Sequence, residues 1–243
     1  IARFISLHFS ACAKALLAQM SDLLYLLGEI SGKTIFIDGT KIESAANKYT
    51  FVWKKAITKN QVRLYTKLSS FVAECEELYG IKTVYHKRIS IHTLKRLKKQ
   101  LCRIKVQEGI VFVHGIGRRK TQLQKSLEQL DQYLEKLKEY TKKLYTLGNR
   151  NSYSKTDPDA TFMRMKEDAM LNGQLKPAYN IQHGVDSEYI TWLDISPRPT
   201  DTRTLIPFLK DMENHLGFKY SEIVADAGYE SEENYLFIEG NGQ

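Results

Sequence analysis

Lys33-Thr-Ile-Phe-Ile-Asp38-Gly-Thr40 is a run of apolar and β-branched residues closed by Asp-Gly, the pattern of a buried strand whose end is marked by a turn. Ile223-Val-Ala-Asp226-Ala-Gly228-Tyr229 repeats it almost two hundred residues later: a short apolar strand, an aspartate at its end, a glycine close behind. In an open α/β sheet, functional groups collect in the crevice beyond the carboxyl ends of the strands. Asp38 and Asp226 are therefore the expected pair. Two carboxylates brought together repel one another unless a divalent cation lies between them, and hard oxygen ligands select magnesium or manganese. Two such ions about 3.5 to 4 Å apart can activate an attacking oxygen and stabilise the leaving one in a phosphoryl displacement.

Each motif alone is weak, because Asp-Gly after a strand is usually only a turn. A rival for Phe36-Ile-Asp38-Gly-Thr40 is the haloacid-dehalogenase type of phosphatase, whose nucleophilic aspartate stands two residues before the aspartate of Asp-Gly-Thr. That position is Phe36, which can neither be phosphorylated nor bind a metal.

Outside the two strands the pattern changes period. From about Ile5 to Ile30, Leu16, Met20, Leu23, Leu24 and Leu27 recur at helical spacing, with Gly28 and Gly32 around the exit. Val62, Tyr65, Leu68, Val72 and Cys75 predict a second helix, and Ile91, Leu94, Leu97, Leu101 and Ile104 a third. Leu123, Leu127, Leu130, Leu134, Leu137, Thr141 and Leu144 alternate steps of four and three, a seam that packs against another helix. Packing on the two preceding helices is the expected use, with a homodimer as the second, because those helices also need cover for their apolar stripes. Gly115-Ile-Gly117 has too few glycines to cradle a phosphate and reads as a basic turn.

After Arg150 the chain is loop-like through Asp157-Pro-Asp159, which reads as a turn or cap. Ala178 to His183 and Tyr189 to Asp194 predict a hairpin turning near Asp186. Thr200 or Asp201 is expected to cap a helix with Leu205, Phe208, Leu209 and Met212 on its apolar face and Gly217 as its stop. The organisation expected is a helical connector at 1–30, an α/β domain at 31–57 and 150–243, and a basic, all-helical insertion at 58–149 after the first strand.

Charge follows the same division. The 243 residues are 42% hydrophobic and 26% charged, an ordinary soluble composition, with a net charge of +8. Lys54 to Arg150 holds 23 Lys and Arg against 8 Asp and Glu, whereas the remainder holds 13 against 20. A basic middle with acidic flanks suits a protein that grips a polyanion with one part and does carboxylate chemistry with another. Lys54, Lys55, Arg118, Arg119 and Lys120 are the candidate phosphate contacts. No apolar run approaches the roughly 18 residues that would span a bilayer, so no membrane partner is expected. Cys12, Cys75 and Cys102 lack paired spacing, which argues for reduced thiols in a cytoplasmic protein. His8, His86, His92, His114, His183 and His215 show no ligand spacing, and Trp53 and Trp192 sit in strand-like settings that favour burial over base stacking.

Phe36 to Lys55, Tyr153 to Glu167, Lys176 to Gln182 and Val224 to Tyr235 together resemble the catalytic blocks of DDE-type transposases of bacterial insertion sequences. The resemblance implies a ribonuclease H-like mixed sheet in which the first and fourth strands lie side by side, bringing Asp38 and Asp226 together as metal ligands. It implies double-stranded DNA as substrate, magnesium or manganese as cofactor, and strand cleavage and transfer at element ends in a bacterial cytoplasm. It also implies a third ligand, a glutamate on a helix well after the second aspartate. Only Glu230, Glu232, Glu233 and Glu239 follow Asp226, too near to stand beyond a fifth strand. The expectation is therefore an incomplete domain, lacking the last strand and catalytic helix, cut at one or both ends, with impaired cleavage. The alternative is a DNA-binding, self-associating protein without catalysis.

Overall fold

The computed structural model describes residues 9–85, 87–115, 117–165 and 173–242. Outside these lie the expected helix start at Ile5, His8, His86, and the Lys166-Glu167 close of the block that opens at Tyr153. In chain order the elements are α1 (Ala13–Leu27), β1 (Thr34–Glu43), β2 (Phe51–Trp53), α2 (Lys54–Tyr79), α3 (Ile91–Gln107), α4 (Gln122–Leu147), β3 (Ser152–Ser154), β4 (Thr161–Arg164), β5 (Leu175–Asp186), β6 (Tyr189–Ser196), α5 (Leu205–Glu213), β7 (Glu222–Ala225) and α6 (Glu232–Gly240). They form two units: the described residues up to Phe51 together with those from Tyr153 onward, and Val52–Ser152.

The first unit is built on a mixed sheet in the order β4-β5-β1-β7, with β6 also paired to β5. β1 runs antiparallel to β5 and parallel to β7. Antiparallel pairing of β5 with β6 through the turn at Asp186 gives the predicted hairpin. This mixed α/β arrangement is compatible with a ribonuclease H-like fold. One expectation fails: Asp38-Gly39 is no turn. The strand runs on to Glu43 because Asp38 to Glu43 find partners on β5, Asp38 opposite His183 and Glu43 opposite Ala178. A continuous ladder outweighs the turn preference of the dipeptide. The short strand β3 also falls in sequence that reads as loop.

Alternation sorts β1 into two faces. Ile35, Ile37 and Gly39 are buried, while Phe36, Asp38 and Thr40 are exposed. The buried face meets α5 through Phe208, Leu209 and Met212, with Trp192 and Tyr220 completing the core. Gly184 lies where β5 bulges; a Cβ there would stand 2.5 Å from Ile35 Cδ1 and 3.1 Å from Phe208 Cζ, so only glycine lets the strand and helix close. The predicted caps of α5 are not used. Thr204 occupies the N-cap position but its hydroxyl donates back to the Asp201 carbonyl at 2.7 Å rather than capping the helix, Asp201 begins a preceding 3-10 turn, and the helix ends at Glu213 before Gly217. α1 buries Ala18 and Ser21, the latter donating to the Thr191 carbonyl at 2.7 Å, and leaves Leu16, Met20, Leu23 and Leu27 exposed.

Asp157 fills its predicted turn role. It accepts from Ser44 Oγ at 2.5 Å and from the Tyr179 hydroxyl at 2.8 Å. Burial opposes its charge, yet these hydrogen bonds prevail and hold its carboxyl below the ordinary range.

The second unit is three helices. Leu123, Leu127, Leu130, Leu134 and Leu137 of α4 bury against Leu64, Leu68, Phe71 and Val72 of α2 and Leu94, Leu97 and Leu101 of α3. The leucine seam is thus covered within its own unit. Side-chain caps start two of the helices, Ser90 accepting from Thr93 N and Thr121 from Gln124 N. Trp192 is fully buried and Trp53 half-buried. Among the described residues no helix is long and apolar enough to cross a membrane.

Leu130→Ala leaves a cavity at a residue with no exposed surface, and is expected to cost about 2 to 5 kcal/mol of helical-unit stability in urea unfolding followed by circular dichroism. Because the Asp157 carboxyl is depressed in the folded chain, its contribution is present above its ordinary value of 3.8 and lost as pH falls through the folded value. The melting temperature is therefore expected to fall more steeply between about pH 5 and about pH 3 for the unaltered chain than for Asp157→Asn.

Candidate active site

The β1–β7 ladder pairs Thr34 with Glu222, Ile35 with Ile223, Phe36 with Val224 and Ile37 with Ala225. Asp38 and Asp226 are the next residues on the two strands. Neighbouring strands lie about 4.8 Å apart, so the two aspartates leave the ladder side by side. Asp38 is exposed on the face of β1 opposite the α5 core, and its Oδ1 accepts from Gly39 N at 2.7 Å. Asp226 is exposed and opens a 3-10 turn at Ala227–Tyr229, its Oδ1 accepting from Gly228 N at 2.9 Å. His183, opposite Asp38 in the β1–β5 register, shares its face and is half-buried.

A buried polar network lies directly behind these strand ends. Asp201 Oδ1 accepts from Asn180 Nδ2 at 2.7 Å and from Gln182 Nε2 at 3.1 Å. Gln182 also donates to Asn180 Oδ1 at 3.0 Å and accepts from the Tyr229 hydroxyl. Asn180, Gln182 and Tyr229 are all buried. Burial, and then the charges of Asp201, Asp38 and Asp226, push the Tyr229 phenol upward, so it stays protonated and donates. The network crowds the backbone at Gly39 and reaches ordinary contact distance at Gly228. A Cβ at Gly39 would stand 2.7 Å from Gln182 Nε2, 2.8 Å from Asp201 Oδ1 and 3.1 Å from the Tyr229 hydroxyl. One at Gly228 would stand 3.7 Å from Asp201 Oδ2. One carboxylate therefore abuts the residue after Asp38 and the residue two beyond Asp226. Asn234, buried in α6, donates to the carbonyls of Thr202 and Tyr229 and ties the turn after Asp226 to the one that carries Asp201.

Residues 150–243 match a family model described as a transposase DDE domain. That segment is similar to the transposase DDE domain. No curated protein and no solved structure matches the chain. The DDE domain match includes Asp226, Asp201, Tyr229, Asn180 and Gln182; Asp38 lies outside it and joins them through the β1 pairings alone.

The donor set suits a hard divalent ion, since magnesium is commonly held by one or two carboxylates while keeping several waters. Among the described residues no group of three His, Cys, Asp or Glu side chains is arranged to hold a metal. Glu232, Glu233 and Glu239 stand exposed on α6.

The candidate phosphate contacts divide. Lys54 Nζ donates to the Gly148 carbonyl at 3.1 Å, closing the end of α4, and Lys120 pairs with Glu128 at 2.7 Å. Lys55, Arg118 and Arg119 are exposed. Sequence reading missed the role of Asp201, treating it as a cap. The signal lay in β5, where Asn180 and Gln182 occupy successive inward positions of a central strand and so demand buried partners.

Asp201→Ala removes the acceptor of two buried amides and is expected to destabilise the DDE domain by about 1 to 3 kcal/mol in denaturant melts. Gly39→Ala should destabilise by a similar amount, about 1 to 3 kcal/mol, because the added methyl meets the same atoms.

Proposed function

We propose that the chain is a transposase that performs metal-dependent phosphoryl transfer on double-stranded DNA, with Asp38 and Asp226 as the carboxylates that hold the metal. The observation that carries this reading is the β1–β7 register, which sets the two aspartates at successive positions past the last pair of a parallel ladder. Magnesium or manganese bound there would activate the attacking oxygen and stabilise the leaving one. The protein's part is to orient the carboxylates. Gly39 N and Gly228 N each donate to one of them, and the Asp201 network holds the two glycines against a common brace. Exposure on the open face of the sheet leaves room for a duplex to approach. In this reading the DDE domain and β1 form the reacting part, the basic helical unit grips DNA, and the insertion-sequence end is the substrate.

A second reading is a DNA-binding protein without catalysis. It is favoured by the lack of a third ligand among the described residues. Five leucines of the seam, Leu123, Leu127, Leu130, Leu134 and Leu137, are buried inside the helical unit.

Manganese titration by calorimetry separates the two. Binding weakened at least tenfold, which is about 1.4 kcal/mol, by either Asp38→Ala or Asp226→Ala is the expected result. Binding indifferent to both substitutions would sink the catalytic reading. Robust plasmid cutting with magnesium, abolished by each substitution, would show that two carboxylates suffice.

A further inference from the structure

We propose that the outward face of α3 is a phosphate-binding surface for the backbone of duplex DNA. The inference deepens the functional reading above and depends on it only for the choice of DNA as the polyanion.

The helix Ile91-His-Thr-Leu-Lys-Arg-Leu-Lys-Lys-Gln-Leu-Cys-Arg-Ile-Lys-Val-Gln107 has one face of Leu94, Leu97 and Leu101, all without exposed surface. It contains six Lys and Arg and no Asp or Glu. Two of the six are engaged within the unit: Lys98 pairs with Asp131 at 2.5 Å, and Lys105 lies 4.0 Å from the Phe112 ring centre. The other four, Lys95, Arg96, Lys99 and Arg103, are exposed and make no ion pair among the described residues. His92, Val106 and Gln107 complete the exposed side.

Neighbouring α4 shows what a helix shaped only for solubility looks like. It mixes both signs, and two of its five lysines pair locally, Lys138 with Glu135 and Lys143 with Glu139. On α3 the steps Lys95 to Lys99 and Lys99 to Arg103 set like charges one turn apart, where they repel and weaken the helix. A bound polyanion turns that repulsion into attraction and gains from counterion release. The row also has the right form: successive members rise about 6 Å along the axis, and an α-helix fits a major groove about 12 Å wide.

The same face discriminates among polyanions. α3 has no Phe, Tyr or Trp, so it offers no platform on which unpaired bases stack. Its one exposed aliphatic residue, Val106, is too little to anchor in a lipid surface. A duplex, read through its phosphates, is what remains. Lys54 and Lys120 are engaged by Gly148 and Glu128, and α3 adds a further basic surface to the exposed Lys55, Arg118 and Arg119.

The test is fluorescence anisotropy with a labelled random-sequence duplex and the full chain, across a series of salt concentrations. Replacing Lys95, Arg96, Lys99 and Arg103 together with Gln is expected to weaken binding at least tenfold. It should also lower the slope of log affinity against log salt by about 3 to 4, at about 0.9 per phosphate contact. A control with Lys136, Lys138, Lys142 and Lys143 of α4 replaced by Gln removes the same charge and should leave the slope unchanged. Equal losses in both variants, or none in the α3 variant, would overturn the proposal while leaving the metal chemistry standing. Tighter binding to single-stranded RNA or to anionic vesicles than to the duplex overturns the choice of partner. No binding to duplex by the unaltered chain overturns both this inference and the functional reading. Unchanged helical circular dichroism certifies the variant fold, and Arg103→Glu alone supplies a milder change that should also weaken binding.

Discussion

Four backbone pairings between β1 and β7 hold together everything the active-site reading requires. Asp38 and Asp226 each follow the last of these pairings. Each is placed by where its strand runs, and the strands are held by hydrogen bonds and by the apolar residues that precede the acids, Ile35 and Ile37 on one side and Ile223 on the other. A one-residue slip would move every side chain of β1 to the opposite face and carry Asp38 into the core. Burial of Ile35 and Ile37 under α5 therefore specifies the chemistry as firmly as the carboxylates do.

Behind that ladder the sheet changes character along its length. At one end the covered face is apolar, with Ile35, Phe208 and Trp192; at the other it is polar, with Gln182, Asn180, Asp201 and Tyr229. A fully satisfied buried network adds little net stability but fixes a geometry, because any displacement leaves an amide or a carboxylate without a partner in a low-dielectric interior. Such rigidity matters at a metal site, where ligands must be in position before the ion and substrate arrive.

Much of this was legible in the residues. The hairpin around Asp186, the apolar face of α5 and the leucine seam follow from period and composition, as does Asp226 at the end of β7. Three things were not legible. Asp38-Gly39 carries a strong local turn signal, and only the β5 partner, well over a hundred residues away, keeps it extended. Asp201 looks like a cap because caps and buried acceptors use the same residue types; its partners are distant in sequence. The charge of the middle segment was visible, but not which lysines are spoken for. That depends on Gly148 and Glu128 being within reach of Lys54 and Lys120, a fact of packing.

The helical unit interrupts the chain between β1 and β5, two strands that must meet for the sheet to exist. Joining two ends across so long a segment is entropically slow if the segment is a random coil, although each doubling of loop length adds only about 0.6 kcal/mol. Helices whose contacts are mostly local form early, within microseconds to milliseconds for small bundles. On a growing polypeptide the three-helix unit emerges whole before β5 is made, so the waiting β1 is left with an unpaired edge until the second half of the domain is synthesised. The inserted helices thus shape the order of assembly, shortening the search at the cost of a period during which β1 is open to the wrong partner.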